Sequence, residues 1–153
     1  MIGIDTNLLL YARVTGSPHH VAAIGFLDAL ASNPDVAISE LVLAELYVLL
    51  RNPAVLNPPL GPEDAVAEIE VFRRHPRWQL TDAAEVMHKV WPEAARPGFP
   101  RRRLFDLRLA LTMQAFGVTE FATANVKDFE GLGFIRVWNP LLAPALRIQA
   151  DRV

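Results

Sequence analysis

Residues 1–11 read MIGIDTNLLLY, and this stretch places an acid, Asp5, directly after a short apolar run. Two isoleucines and a glycine precede the acid, and three leucines and a tyrosine follow soon after it. An unpaired carboxylate in an apolar interior costs on the order of several kcal/mol. Asp5 therefore either caps a helix or shares its charge with other groups of the fold. We expect residues 1–4 to form a short buried strand and residues 5–7 to turn the chain into a helix.

The composition is that of one globular domain without disulfides. The chain has 153 residues, no cysteine and a net charge of −2, and 52% of its residues are hydrophobic. A domain of this length buries roughly 68–70% of its unfolded surface, so it needs no covalent staple. The lack of cysteine excludes disulfides and thiolate metal ligands and suits a reducing compartment. We predict a single cytoplasmic domain over residues 1–153, with a C-terminal tail from about residue 140.

The charge pattern limits the partners. Charged residues interrupt every apolar run before it reaches membrane-spanning length, and the N-terminus lacks the basic start of a signal peptide. We therefore expect no membrane segment. The weakly negative net charge argues against a globally basic nucleic-acid binder, but it leaves room for a local basic patch.

Short apolar runs alternate with longer helical patterns along the chain, which is typical of α/β proteins. The strands are predicted at residues 1–4, 35–38, 78–80, 120–123 and 134–138. The helices are predicted at residues 20–30, 40–51, 63–74 and 103–116, with one more that is capped by Thr81 or Asp82 and ends near Trp91. Strands separated by helices predict a mostly parallel sheet with helices on both faces.

Three acids fall where such a sheet forms its sites, near the carboxyl ends of strands. Asp5 follows the first strand. Glu45 shares a helix face with Leu41 and Leu49, and we expect this face to point inward. Asp106 repeats the pattern, with apolar neighbours at i+3, i+4 and i+7.

Each acid also has a structural interpretation of its own. Asp5 could be a helix N-cap, Glu45 could pair with Arg51, and Asp106 could pair with the arginines at i−4 and i−3. A common explanation for all three is a bound cation, because clustered carboxylates repel one another and raise their pKa values unless a cation neutralises them. Hard divalent ions such as Mg²⁺ or Mn²⁺ prefer oxygen ligands.

Four segments in the expected order resemble a PIN domain, and more narrowly the VapC-type toxins of bacterial toxin–antitoxin pairs. These segments are IDTNLLLY, SELVLAELYVLLR, FDLRLALTMQAFG and FATANVKDFEGLGFIRVWNP. The resemblance covers nearly the whole chain. It implies a three-layer α/β/α sandwich with a mostly parallel sheet and a Mg²⁺-dependent endoribonuclease activity, with Mn²⁺ as an alternative ion. It also implies a small cognate antitoxin and a homodimer, both using the helices around residues 20–60.

Residue by residue, the resemblance makes Asp5, Glu45 and Asp106 the catalytic, metal-binding acids. Asp5 and Asp106 would ligate a metal directly or through water, and Glu45 would ligate a second ion or orient the attacking water. Many members carry an acid or an asparagine at the position that is Asn125 in this chain, and the nearest acid is Asp128. Asp128 is therefore the candidate fourth metal ligand, with Asn125 as the alternative for that role. The resemblance leaves open whether one or two ions bind. The candidates for holding these ligands in place are Thr6, Asn7, Thr123 and Asn125.

The segment RPGFPRRRLFDLR, residues 96–108, packs five arginines around the single acid Asp106. This pattern favours a patch that grips RNA phosphates beside the active site, and the alternative is a solvated helix start that neutralises the acid. Phe99 and Phe105 are candidates for stacking on bases, although we expect Phe105 in the core. The predicted RNA-binding residues are Arg101, Arg102 and Arg103.

Two other functions stay open at this stage. The first is a phosphotransferase that uses Asp5 as nucleophile, but such enzymes want a second acid two residues on, where this chain has Asn7. The second is a PIN-like scaffold that binds RNA or protein without cutting it. The three acids argue against the scaffold, whereas Asn125 at the fourth-acid position favours it.

Overall fold

The structure, a computed structural model, describes residues 1–142. The tail predicted from about residue 140 therefore lies almost wholly outside the described residues, and the single domain over residues 1–153 stays a prediction. The five strands are β1 (Ile2–Ile4), β2 (Val36–Ser39), β3 (Gln79–Thr81), β4 (Glu120–Ala122) and β5 (Arg136–Trp138). The seven α-helices of the described part are α1 (Thr6–Arg13), α2 (His20–Leu30), α3 (Glu40–Leu50), α4 (Pro62–Arg73), α5 (Met87–Ala94), α6 (Arg103–Ala115) and α7 (Val126–Phe129).

The five strands form one sheet in the order β3-β2-β1-β4-β5, and all four pairings are parallel. Parallel strands need crossover connections, and these are almost always right-handed. The chain moves from β1 outward to β3 and then returns across the sheet to β4, so α1–α4 cover one face and α5–α7 cover the other. The helix packing agrees, since α1 contacts α2 and α3, whereas α6 contacts α5 and α7. The predicted parallel α/β/α sandwich is confirmed.

The centre of the sheet depends on one close approach between β1 and β4. Gly3 pairs with Phe121, and a Cβ atom at Gly3 would lie 2.9 Å from the Phe121 ring. Phe121 is fully buried; its ring stacks on Phe134 at 4.9 Å and packs at a tilt against Phe129 at 4.5 Å between ring centroids. The glycine in the opening stretch is therefore needed to let this aromatic cluster pack against the first strand.

Two predicted helix ends are confirmed in detail. The Ser39 side-chain oxygen accepts a hydrogen bond from the Leu41 amide at 3.2 Å, which caps α3. At the C-terminal end of α6, Gly117 follows the helix with φ +84°, a conformation that glycine adopts without steric cost.

The segment after β3 differs from its prediction. Neither Thr81 nor Asp82 caps a helix; Thr81 is buried and donates its hydroxyl to the Ile38 carbonyl at 3.3 Å. The chain instead forms a 3₁₀ turn over Ala84–Val86, and α5 continues past Trp91 with Pro92 inside it. The Thr81 hydroxyl is hydrogen-bonded to the neighbouring strand β2, and this tertiary contact cannot be seen from the local sequence pattern of a helix cap.

Candidate active site

The strand order reverses between β1 and β4, because connections leave these two strands toward opposite edges of the sheet. Such a reversal opens a crevice outside the carboxyl ends of the strands, where open α/β sheets bind their ligands. Asp5 directly follows β1, and Thr123 directly follows β4. The Asp5 amide continues the sheet by donating to the Ala122 carbonyl at 3.0 Å, so the acid is fixed at the crevice by the strand itself.

The Asp5 carboxylate is buried, with 6% of the residue exposed, and both of its oxygens accept hydrogen bonds. Oδ1 accepts from the Thr6 backbone amide at 2.8 Å, as an N-cap of α1 does. Oδ2 accepts from the Thr123 hydroxyl at 2.6 Å and from the Asn7 side-chain amide at 2.9 Å. Asp5 is therefore a helix cap and a cleft residue at the same time.

The polar residues around Asp5 tie the ends of β1 and β4 together. The Asn7 side-chain carbonyl accepts from the Ala124 backbone amide at 3.0 Å. The Thr123 hydroxyl oxygen accepts from the Asn125 backbone amide at 2.9 Å while it donates to Asp5. These bonds fix the orientation of the Asp5 carboxylate before any ligand binds.

Glu45 does not lie on the inward face of its helix, so that expectation is wrong. Glu45 is exposed at the cleft, and its Oε2 atom accepts a hydrogen bond from the Thr6 hydroxyl at 2.7 Å. The buried residues of α3 lie on another face; they are Val42, Leu43, Leu46 and Leu50. Leu41 and Leu49 share the Glu45 side of the helix and line the cleft, so this apolar stripe is a wall of the site and not a core contact.

Four carboxylates from different parts of the chain line one cleft with a volume of about 950 Å³. Asp5 follows β1, Glu45 lies on α3, Asp106 lies on α6 and Asp128 lies on α7. Asn125 lines the same cleft, so both candidates for the fourth-ligand position face it. The helix α7 that carries Asp128 was not predicted, because its four residues are too few for a periodic pattern.

The shared cleft raises the proton affinity of two of the acids. Burial raises the pKa of Asp5 to about 6; hydrogen bonds from Thr123 and Thr6 oppose the shift, and the charges of Glu45 and Asp106 add to it. Burial also raises the pKa of Asp106, helped by the charges of Asp128 and Glu45 and opposed by Arg103. The acids therefore interact electrostatically across the cleft, as clustered carboxylates without a cation do.

The chemistry of these donors fits a hard divalent cation, since all are oxygens and their mutual repulsion is what a cation relieves. Among residues 1–142, no three acidic or histidine side chains already lie close enough together to hold an ion. Asp5 is the fixed member of the set, because its two oxygens are held by hydrogen bonds.

The structure separates the three predicted RNA-binding arginines. Arg102 lines the cleft. Arg103 lies partly buried and donates through Nη2 to the Glu130 carbonyl at 3.0 Å, beside a different groove. Arg101 is exposed and lines neither cavity. Within the described part of the chain, no arginine forms an ion pair with Asp106 within 4.0 Å, so the predicted helical pair is not formed.

Two cleft residues of α6 were misjudged from the sequence. Phe105 is 71% exposed and lines the cleft, so its expected place in the core is wrong. Arg108 was not among the predicted RNA-binding residues, but it lines the cleft as well. For Phe105 the spacing carries a signal, because Arg102, Phe105, Asp106 and Leu109 recur at i, i+3, i+4 and i+7 on one helix face. If Asp106 faces a cleft, its neighbours on that face do so too.

The chain matches known proteins over most of its length. The family model of the PIN domain matches residues 2–134. Ribonuclease VapC24 of Mycobacterium tuberculosis is 52% identical over 141 residues, which covers 92% of this chain and 97% of the relative. This chain belongs to the PIN-domain family, as a ribonuclease toxin of the VapC type. The predicted family, fold class and enzyme class are confirmed, and metal dependence is a general property of VapC nucleases.

Solved structures show the same fold at low sequence identity. The crystal structure of Mycobacterium tuberculosis VapC20, a toxin that cleaves the sarcin–ricin loop, matches with a TM-score of 0.65 and 22% identity, covering 88% of this chain and 97% of that chain. VapBC2 from Rickettsia felis, bound to a DNA fragment from its promoter, matches with a TM-score of 0.59 and 21% identity, covering 91% of this chain and 100% of that one. Within residues 1–142, no helix has the length and apolar character needed to span a membrane.

The raised pKa of Asp5 predicts how stability without metal depends on pH. The pKa rises from 3.8 to about 6, so the folded protein binds this proton more tightly than the unfolded chain. The contribution of Asp5 to stability is therefore largest below about pH 4, falls between about pH 4 and 6, and is constant above, with a loss on the order of 3 kcal/mol from this group. Denaturant unfolding in EDTA across this range measures it. Asp5→Asn keeps a good N-cap and should remove most of the decline, whereas the exposed Asp28→Asn should not. A decline of equal size in the Asp5→Asn variant would contradict the assignment.

The Thr123 hydroxyl predicts a difference between two buried threonines. Thr123→Val removes the 2.6 Å bond to Asp5 and should weaken metal binding roughly 10- to 100-fold, as loss of a residue that orients a ligand does. Thr112→Val is the matched control, because Thr112 is equally buried and its hydroxyl has no partner among the described residues. A Mn²⁺ titration followed by calorimetry compares the two. Equal Mn²⁺ affinities for both variants would show that the Thr123 bond does not orient the ligand.

Proposed function

We propose that this chain hydrolyses RNA phosphodiester bonds as a Mg²⁺-dependent endoribonuclease, with Mn²⁺ able to replace Mg²⁺. The observation that carries the proposal is the convergence of Asp5, Glu45, Asp106 and Asp128 on one cleft at the point where the strand order reverses. RNA is a polyanion, so four ionised carboxylates would repel it unless cations offset their charge. A cleft of this composition suits a phosphodiester only when a divalent ion is bound.

The residues take the following roles. Asp5 and Asp106 hold the ion, and the hydrogen bonds from Thr123 and Asn7 keep the Asp5 carboxylate in one orientation. A bound Mg²⁺ supplies activation of the attacking water and neutralises charge that develops on the phosphoryl oxygens. Glu45, held by the Thr6 hydroxyl, is placed to orient the attacking water or to contribute to a second ion site. No histidine or cysteine nucleophile is needed for this reaction.

The position after β4 provides the fourth ligand. Asp128 lies in the first turn of α7, and its charge acts on Asp106, whereas Asn125 is bound to Thr123 only through its backbone amide. The Asn125 side chain therefore remains available as a neutral oxygen ligand. We assign the charged ligand to Asp128 and a supporting role to Asn125.

The arginines at the start of α6 bind RNA outside the metal site. Arg102 lies at the cleft, and Arg101 and Arg103 flank it on the helix start. Arg102 would contact phosphates at the cleft, and Arg101 and Arg103 would contact phosphates where the RNA runs beyond it, since arginine offers several donors to phosphate oxygens. Such contacts position RNA without reading its sequence.

The partners follow the VapC family. We propose a small cognate antitoxin and a homodimer, and we propose that the protein acts in the cytoplasm. The similarity to VapBC2 and to FitAcB from Neisseria gonorrhoeae supports the antitoxin, and the absence of cysteine suits a reducing compartment.

Replacing Asp106 tests the proposal directly. Asp106→Asn should lower metal-dependent RNA cleavage by more than about 100-fold, because a charged ligand is lost outright and not merely misoriented. Its stability in EDTA should equal or exceed that of the wild type, since one of four repelling charges disappears. Gel assays of RNA cleavage with Mg²⁺, together with denaturant unfolding, provide both values. The exposed Asp28→Asn should cleave normally; normal cleavage by Asp106→Asn would refute the assignment.

The fourth-ligand position predicts unequal effects of two alanine variants. Asp128→Ala should raise the Mg²⁺ concentration needed for half-maximal cleavage more than Asn125→Ala does, because it removes a charge as well as an oxygen. Asn125→Asp should be tolerated and should lower that concentration. Cleavage rates over a Mg²⁺ titration compare the three. Equal and negligible shifts in all of them would mean that neither residue contacts the ion.

A further inference from the structure

Phe105 is an exposed aromatic residue at the catalytic cleft. Phe105 and Trp91 are the two exposed large aromatic side chains of residues 1–142, at 71% and 57%, and only Phe105 lines the cleft. A phenylalanine gains much from burial, and this one is left in water next to the metal-binding acid Asp106. Neither the metal site nor the core uses its ring.

Arg108 lies beside Phe105 on the same helix. The two are i, i+3 neighbours, so their side chains lie close on the helix surface, and both line the cleft. The Arg108 Nε–H is buried and has no hydrogen-bond acceptor among the described residues. Arg108 also forms no ion pair within 4.0 Å in the described part of the chain. A buried donor without a partner costs free energy, so the cleft holds an arginine whose Nε–H lacks an acceptor among residues 1–142.

We infer that Phe105 and Arg108 form a nucleotide-binding pair, in which the ring stacks on a base and the guanidinium binds a phosphate beside it. Every base offers a π-face to an aromatic ring, and a guanidinium offers paired donors to phosphate oxygens. This inference rests on the proposed function and adds two residues to its RNA-binding surface. A base can stack on Phe105 only when it is unpaired and turned out of a helix, so the contribution of the ring should be confined to single-stranded RNA.

Binding of short RNA tests the pair apart from cleavage. The probes are a labelled single-stranded RNA of mixed sequence and the duplex it forms with its complement. Titrations use Ca²⁺ in place of Mg²⁺, and a gel verifies that the RNA is intact. The wild type should prefer the single strand. Equal affinity for both RNAs would overturn the stacking of an unpaired base on Phe105.

Variants of Phe105 test the stacking role. Phe105→Ala and Phe105→Leu should weaken single-strand binding by about 5- to 100-fold and leave duplex binding unchanged, whereas Phe105→Trp should retain it. The leucine variant separates stacking from simple apolar contact. Trp91→Ala is the control, because it removes an exposed aromatic side chain outside the cleft. Wild-type affinity in Phe105→Leu would overturn the stacking role.

Variants of Arg108 test the phosphate contact through its salt dependence. Arg108→Ala should reduce the slope of log affinity against log salt concentration for the single strand by about 0.7, and Arg108→Lys should restore most of it. Arg77→Ala removes the same charge from the exposed turn before β3, at the opposite end of the strands, and should leave the slope unchanged. An unchanged slope in Arg108→Ala would overturn the phosphate role. If the wild type cleaves no RNA, the proposed function fails, while these binding results still decide the nucleotide-binding pair.

Discussion

The carboxylate of Asp5 lies where the fold can least easily accommodate a charge, at the buried end of the central strand. Burial there opposes ionisation, and the Thr123 hydroxyl, the Thr6 amide and the Asn7 side chain supply the hydrogen bonds that make the carboxylate tolerable. The same bonds join the ends of β1 and β4, which are the strands on either side of the reversal. The acid therefore organises the crevice and, at the same time, makes it unfavourable without a cation.

The cleft combines two surfaces with opposite requirements. Its acidic floor repels phosphate, whereas Arg102 and Arg108 on its α6 side attract it, and Phe105 adds an apolar face between them. Helix α6 contributes to both surfaces: Asp106 belongs to the acidic floor, and Phe105, which is adjacent in sequence and lines the same cleft, belongs to the other surface. A metal ion on the floor would turn the whole cleft into a site for a polyanion. The short distance along one helix would also tie the position of a bound RNA to that of a bound metal ion.

The sequence predicts the framework well, because the framework rests on local signals. The helix over residues 20–30 has the predicted bounds, and Ser39 and Gly117 mark helix ends through their own side chain or backbone. The failures arise where tertiary contacts decide. Thr81 is a residue type that often caps helices, but its hydroxyl donates a hydrogen bond to the Ile38 carbonyl in the neighbouring strand β2. Helix α7 has only four residues, which are too few to show a helical period.

The sequence predicts the position of the site residues less well than the fold, because their position also depends on tertiary contacts. Periodicity shows which residues share a helix face, but it does not show whether that face meets the core or a cleft. Periodicity predicts an inward face for Glu45, yet Glu45 is exposed at the cleft, and so is Phe105, which is expected in the core. The position of Asp5 is less ambiguous, because it directly follows a strand. In a parallel sheet, the carboxyl ends of the strands border the crevice that binds ligands.

The proton that Asp5 binds gives the most direct measure of the central claim. Mg²⁺ can occupy the site only by displacing that proton, so ion binding and proton release are linked. Calorimetric titration with Mg²⁺ near pH 6, in buffers of different ionisation enthalpy, counts the protons released. With the Asp5 pKa at about 6, the account predicts release of roughly half a proton or more per ion, and almost none near pH 8. Mg²⁺ binding without proton release near pH 6, or no Mg²⁺ binding at all, would contradict it.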